Sequence, residues 1–368
     1  MPEPLKNIYS KSFIETFAEA LEKVVPEKPT STFVQNVLLH DEWEHMELKQ
    51  RMRHITLCLG NHLGDDYHKN IQAILDLIPV LNKKDYGIDT LGFMFLPDFI
   101  EVYGQDYFEI SMSAMETVTP FVSCEFAVRP FILQHQKEAL EIMLKWSKDK
   151  NLHIRRLASE GCRPRLPWAM ALPALKKNPA PILSILENLK NDESEYVRRS
   201  VANNVNDISK DNPDIALGLI KKWHGKNPNM DWVAKHAGRT LLKQGNRILM
   251  ELFGFGNVDH IVCSNFKVLT PKISVGDYLE FSFRIKNTQN TASKIRIEYG
   301  IYYQKANGSL SKKVFKISEK EYEAKSSTEI IRKQSFKPIT TRVYHLGKHQ
   351  VSIILNGEEI VKKDFELI

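Results

Sequence analysis

Apolar residues recur at intervals of three and four from the N-terminus to about residue 255, as in "FIETFAEALEKVV" and "EALEIMLKWSKD", with short polar or proline-containing breaks between the runs. That period puts one apolar stripe on each helix and predicts a succession of amphipathic helices. After about residue 258 the period falls to two. "YLEFSFRIKN", "KIRIEYGIYYQ" and "HQVSIILNGEEIVKKDFEL" alternate and are rich in β-branched and aromatic residues, as half-buried strands are. Asn307-Gly308 and Asn356-Gly357 are strong hairpin signals, because both residue types tolerate the left-handed backbone of a tight turn. The expected fold is multidomain, α then β: an α-solenoid over residues 1–255 and a β-sandwich of immunoglobulin-like size over 259–368, with "FGFGNVDH" as the hinge.

Three helical segments, "NLHIRRLASEG", "SEYVRRSVANN" and "MDWVAKHAGRT", align with Ile154, Val197 and Val233 in register, 43 and 36 residues apart. The spacing is close to that of HEAT-type repeats, whose stacked helix pairs build a curved solenoid with a long concave face. At 100° per residue, Ile154, Leu157, Ala158 and Gly161 fall on one side of the first segment; Arg155, Arg156, Ser159 and Glu160 fall on the other. The pattern predicts that the first set is buried and the second turned outward, with Arg156 and Glu160 adjacent at i, i+4. The second segment would bury Val197 and Val201 and turn Arg198, Arg199 and Asn203 the same way, and Lys235 and Arg239 follow in the third.

Charge sharpens this picture. The chain carries a formal net charge of +6, but residues 1–144 hold 12 basic and 22 acidic side chains, residues 145–250 hold 20 and 10, and residues 258–368 hold 19 and 12. A basic middle and tail behind an acidic front imply a polyanionic partner. Two cations per repeat on equivalent faces would form a stripe matched to a phosphate backbone, with Arg156, Arg163, Arg199, Lys235 and Arg239 as the expected phosphate contacts.

Several functional classes lack support. Cys58, Cys124, Cys162 and Cys263 are scattered without a CxxC pair, so neither a disulfide scaffold nor a zinc ribbon is expected and a reducing cytoplasm fits. "MPEPLKNIYSKSF" has no signal-peptide core, and "TLGFMFLPDFI" is short and broken by Pro97 and Asp98; neither export nor a membrane span is expected. Nucleotide-loop, zinc-protease and hydrolase-elbow motifs are missing, and the ExxH of Glu42 and His45 lacks the second copy that a di-iron bundle requires. No metal and no cofactor is expected.

Three carboxylates sit in or beside the cationic region: Glu125 in "SCEFAVRPF", Glu160 in "SEGCRPRLPW" and Asp207 in "NNVNDIS". Each has an ordinary reading. Glu125 fits the first turn of a helix behind Ser123, Glu160 a surface pair with Arg156 worth ~0.2–0.5 kcal/mol, and Asp207 a helix end. Trp168 follows Pro167 at an expected helix start, where its ordinary role is packing. A carboxylate in a phosphate-binding groove weakens binding unless positive charge develops beside it. Cleavage of an N-glycosidic bond supplies that charge through an oxocarbenium-like transition state. A base alkylated on a ring nitrogen departs neutral and needs no general acid. A carboxylate about 4 Å from the sugar cation, at an effective dielectric of about 20, gains roughly 4 kcal/mol, or about a thousandfold in rate. An indole face can hold the cationic base or the deoxyribose.

"SCEFAVRPF", "HIRRLASEGCRPRLPWA", "YVRRSVANNVNDISKDNP" and "WVAKHAGRTLLKQG", in that order and followed by the β-sandwich tail, resemble the AlkC-type alkylpurine DNA glycosylases, relatives of AlkD within the HEAT-like repeat family. The resemblance covers nearly the whole chain, and the tail is similar to the immunoglobulin-like domain of one branch. It implies base excision repair: removal of cationic methylated bases, chiefly 3-methyladenine, from double-stranded DNA that is bent rather than made to give up its base to a pocket. It also implies that Glu125, Glu160 and Asp207 surround the damaged nucleotide, with Trp168 beside the deoxyribose. The two-tryptophan set of the AlkD branch is not kept. The expected protein is a cytoplasmic monomer whose β domain clamps DNA. Two other readings stay open: a non-catalytic scaffold for DNA or protein, and a β domain that docks proteins instead.

Overall fold

The computed structural model describes residues 3–82, 90–339 and 342–368. Compactness divides the chain into two units, Met1–Ala237 and Gly238–Ile368. The first is helical: α1 (Lys11–Val24), α2 (Thr30–Leu38), α3 (Leu48–Leu63), α4 (Tyr67–Asn82), α5 (Phe95–Tyr103), α6 (Phe108–Val118), α7 (Val128–Gln134), α8 (Gln136–Trp146), α9 (Leu152–Glu160), α10 (Pro173–Lys177), α11 (Leu183–Leu189), α12 (Glu195–Ile208), α13 (Pro213–Trp223) and α14 (Pro228–Ala237). Local chemistry fixes several starts. Ser10 and Asn151 accept backbone N–H bonds from Phe13 and His153 ahead of α1 and α9, and Pro213 opens α13, where a missing N–H costs nothing.

The repeats are the helix pairs α8/α9, α11/α12 and α13/α14. α9, α12 and α14 pack successively on one another as an inner layer, and α8, α11 and α13 back them. Ile154, Val197 and Val233 all point into the core, as their register predicts. The outward placement of Ser159 and Glu160 is overturned: their exposures are 0% and 5%. An inner-layer helix is covered twice, by its outer partner and by the next inner helix. The second contact here is polar. Asn204 Nδ2 donates to the Ser159 carbonyl at 2.8 Å, and the Ser159 and Ser200 hydroxyls share a hydrogen bond. Apolar periodicity marks only the first of these faces.

The second unit begins with α15 (Arg239–Lys243) and α16 (Arg247–Leu252) and continues as β1 (Ile261–Val268), β2 (Lys272–Ile273), β3 (Tyr278–Asn287), β4 (Ser293–Gln304), β5 (Leu310–Tyr322), β6 (Ser327–Ser335), β7 (Gly347–Leu355) and β8 (Glu358–Leu367). The strands form two sheets, ordered β1-β3-β6 and β2-β8-β7-β4-β5. Phe281, Phe283, Ile297, Ile301, Val351 and Ile353 contribute to one shared core, so the strands make a sandwich as expected. Asn356 and Gly357 have φ of 45° and 83° and close a two-residue hairpin between β7 and β8. A side chain at Gly357 would meet the Gly245 Cα at 2.6 Å. The Asn356 amide and the Lys294 ammonium donate to the Gly256 and Phe253 carbonyls. Period changes from helix to strand between Leu252 and Ile261, but these contacts gather α15 and α16 with the strands.

Candidate functional site

Six charged side chains from three separate stretches of the sequence meet within the helical unit. Glu125 lies in the turn before α7 rather than in the first turn of a helix, and its Oε2 accepts from Ser123 Oγ at 2.9 Å. Arg156, on α9, donates through Nη1 to the same Oε2 and to Ser123 Oγ, while its Nη2 stands 3.6 Å from Glu160 Oε1. Arg163 then bridges two carboxylates: Nη1 donates to Glu160 Oε1 at 2.7 Å and Nε to Asp207 Oδ2 at 2.8 Å. Lys210 reaches the other Asp207 oxygen at 3.0 Å. Burial works against the charge on both arginines, but the carboxylates outweigh it. Glu125 and then Glu160 for Arg156, and Glu160 and then Asp207 for Arg163, hold the guanidinium protons above their ordinary range.

This network forms one wall of a cavity of about 640 Å³. Glu125, Arg156, Glu160, Arg163, Trp168 and Tyr196 line it, against an apolar wall that includes Phe121. Arg156 also stacks on Tyr196, with Cζ 4.7 Å from the ring centroid. Asp207 is not on the cavity wall; its side chain is 2% exposed behind Arg163. The Glu160 and Arg156 pair is therefore no solvated surface bridge, with side-chain exposures of 6% and 14%.

Trp168 sits between α9 and α10 in a run of turns, and α10 starts only at Pro173. The expected helix start at Pro167 is corrected accordingly: Pro167 leads into a turn in which Trp168 adopts φ of +66°. A non-glycine residue held there costs about 1–3 kcal/mol. The residue is 62% exposed and overhangs the cavity that the network lines.

The remaining cations divide into two kinds. Arg155 is committed to Asp192 at 2.6 Å and Arg165 to Asp211 at 2.6 Å, so the arginines of residues 155–165 are all paired. Arg199 pairs with Glu195 on an open surface, with side-chain exposures of 59% and 57%. Lys235 lies in α14 and Arg239 opens α15, on either side of the division between units, and neither they nor Arg199 line the cavity. Among the described residues no group of His, Cys, Asp or Glu could hold a metal ion, and no helix is long and apolar enough to cross a membrane.

One residue of the site region escapes sequence reasoning. Arg129, on α7, is wholly buried and gives its hydrogens to the carbonyls of Gly161, Arg163 and Met170 at 2.7–2.9 Å. Burial lowers its pKa to about 10. The available signal was an arginine at an inward position of "FAVRPFI", which the apolar pattern reserves for the core.

A family model described as "DNA alkylation repair enzyme" matches residues 113–241, which contain the whole network, and one described as "Uncharacterised protein YhaZ, C-terminal Ig-like domain" matches residues 262–368. The uncharacterized protein YhaZ of Bacillus subtilis (strain 168) is 41% identical over 363 residues, 99% of each chain. The alkylpurine DNA glycosylase AlkC of Pseudomonas fluorescens, in a structure bound to DNA containing an abasic site analog, superposes with a TM-score of 0.91 at 35% identity over 100% of both chains. These likenesses define the class as DNA alkylation repair. The chain belongs to the AlkC-type alkylpurine DNA glycosylases of the HEAT-like repeat family, in the branch with a C-terminal immunoglobulin-like domain.

Proposed function

We propose that the protein hydrolyses the N-glycosidic bond of cationic alkylated bases, chiefly 3-methyladenine, in double-stranded DNA, and does so without enclosing the base. The observation that carries this reading is the pair of carboxylates, Glu125 and Glu160, on the wall of one cavity beside an exposed indole. A fixed negative charge next to bound DNA is useful where a sugar cation forms, and the departing methylated base is neutral and needs no proton donor. Glu125 and Glu160 face the deoxyribose and orient the attacking water. Trp168 packs beside the sugar. Asp207 acts through Arg163, which it holds against Glu160.

The arginines temper the effect. With a carboxylate about 4 Å from the sugar and its guanidinium about 4 Å further, an effective dielectric of about 20 leaves roughly 2 kcal/mol of net attraction, or about thirtyfold in rate. Arg156 and Arg163, expected from the stripe to touch phosphates, are assigned here to orienting the carboxylates. The phosphate contacts fall to the cations outside the network, Arg199, Lys235 and Arg239, and the β-sandwich acts as a DNA clamp.

Methylated duplex incubated with the protein should release free 3-methyladenine, detected by chromatography, and leave abasic sites. Glu160→Gln should retain affinity for abasic DNA and slow release at least about tenfold. Intact methylated bases after prolonged incubation, with salt-sensitive binding preserved, would establish the scaffold reading instead.

A further inference from the structure

The connection between α9 and α10, residues 161–172, carries Arg163 and Trp168, yet it has little means of holding itself in place. Its internal backbone hydrogen bonds are few and long: Ala169 N to Leu166 O at 3.3 Å and Leu172 N to Pro164 O at 3.2 Å, with Arg163 N to Glu160 O at 3.2 Å where it leaves α9. Pro164 and Pro167 have no N–H to give. The carbonyls are instead held from outside. Arg129 takes those of Gly161, Arg163 and Met170. Lys49, on α3, donates Nζ to the carbonyl of Trp168 itself at 2.8 Å, across 119 positions of sequence. The same Nζ lies 5.0 Å from the ring centroid of Phe126, another cavity-lining residue.

Arg129 is an unusual choice for a purely structural core position. None of its hydrogen bonds goes to a carboxylate, and its Nη2 is buried without a partner. An aliphatic side chain would fill the space at lower desolvation cost. What an aliphatic residue cannot supply is a rigid fork that fixes several carbonyls in one geometry. Lys49 belongs to α3, outside the stretch matched as a DNA alkylation repair enzyme, so the N-terminal helices contribute directly to the shape of the lesion site.

We infer that Arg129 and Lys49 are positioning residues that preset the left-handed backbone at Trp168 and thereby the placement of its indole against the damaged nucleotide. The inference rests on the reading of Trp168 as the residue beside the deoxyribose. Neither cation touches the substrate; each acts through the tryptophan's loop. Presetting matters because a displacement of about 1 Å in a positioning group is enough to cost a large factor in rate.

The test is a pair of double-mutant cycles in the full-length protein, read as single-turnover release of base from methylated duplex. Trp168→Ala, Lys49→Met and Arg129→Lys are each expected to slow release by about tenfold, and Lys49→Met/Trp168→Ala and Arg129→Lys/Trp168→Ala to be no slower than Trp168→Ala alone within about twofold. Fully multiplicative losses in both cycles overturn the inference. A Trp168→Ala protein at the wild-type rate overturns instead the placement of Trp168 at the lesion. Lys49 is exposed, so its variant keeps the test open if Arg129→Lys does not fold. A second readout is independent of activity. The chain has five tryptophans, and in 5-fluorotryptophan-labelled protein the Trp168 resonance, assigned by its loss in Trp168→Ala, should shift in Lys49→Met. An unmoved line would count against the role of Lys49 whatever the kinetics.

Discussion

Two buried arginines in this molecule each bridge two carboxylates, in settings that differ. Arg163 in the helical unit lies 2.7 Å from Glu160 and 2.8 Å from Asp207. Arg296 in the β unit lies 2.6 Å from Glu298 and 2.9 Å from Glu319. All six side chains are less than a tenth exposed. The sandwich version is set by strand geometry alone: Arg296 and Glu298 are alternate residues of β4, and Glu319 stands directly opposite Arg296 on β5. The helical version gathers its members from α9, from the loop after it and from α12, and two of the three line the cavity. Burial and ion pairing therefore do not mark a functional site. What sets the helical pair apart is the cavity beside it.

The comparison breaks most visibly if both arginines are removed in turn. Arg163→Met and Arg296→Met each take a guanidinium partner from two buried carboxylates, and each should cost about 3–5 kcal/mol in urea unfolding of its own unit. Base release per folded molecule should separate them: about a hundredfold loss for Arg163→Met, because both cavity-facing and supporting carboxylates lose their orientation, and a change within about twofold for Arg296→Met. Equal losses would mean that the two networks are equivalent and that the cavity confers nothing.

A smaller effect sharpens the comparison within the helical network. Glu160→Gln should slow release by at least about thirtyfold, because the carboxylate's attraction goes while the guanidinium's repulsion stays, and should cost about 1–3 kcal/mol in stability from the weakened buried bond to Arg163. Asp207→Asn should cost a similar amount in stability, about 1–3 kcal/mol, but only about fivefold in rate, since it acts only through Arg163. Single-turnover rates and urea midpoints on the two variants decide it. A rate loss for Asp207→Asn exceeding that of Glu160→Gln would place Asp207 at the reacting sugar.

The two units also differ in how far the sequence predicted them. In the β unit, alternation located the long strands: "YLEFSFRIKN" is β3 from end to end, and both Asn-Gly pairs fall in hairpin connections. A strand with one buried face writes its environment into every second residue. In the helical unit the same kind of reading found the helices and the repeat register and singled out three carboxylates that share one ion-pair network, but it misjudged the face that carries Ser159 and Glu160. The contact between α9 and α12 is made by Ser159, Ser200 and Asn204, and residues of that type look solvated in a hydropathy pattern. Trp168 was legible as a residue and not as a geometry, since nothing in "RLPWAM" indicates a left-handed tryptophan. Arg129 is not legible as a site residue, because a buried arginine holding carbonyls leaves no charge partner in the sequence to pair it with.

The smallest expected effect concerns the cations that the network does not use. Arg199 keeps the outward orientation that the wheel predicts, and its partner Glu195 is as exposed as it is. Such a pair contributes about 0–1 kcal/mol to stability. Arg199→Ala should therefore leave the unfolding midpoint nearly unchanged. If Arg199 meets a phosphate when DNA is bound, one released counterion is lost, and the slope of log affinity against log salt should flatten by about 0.9. The measurement is a salt titration of binding to abasic duplex by anisotropy, with Arg156→Lys as the contrast. Arg156 is committed to Glu125 and Glu160 and is 14% exposed, so its conservative variant should change the rate of base release and leave the salt slope as it was. A flattened slope for Arg156→Lys, with none for Arg199→Ala, would return the phosphate contacts to the arginine cluster and reverse the division of labour between the cluster and the cations outside it.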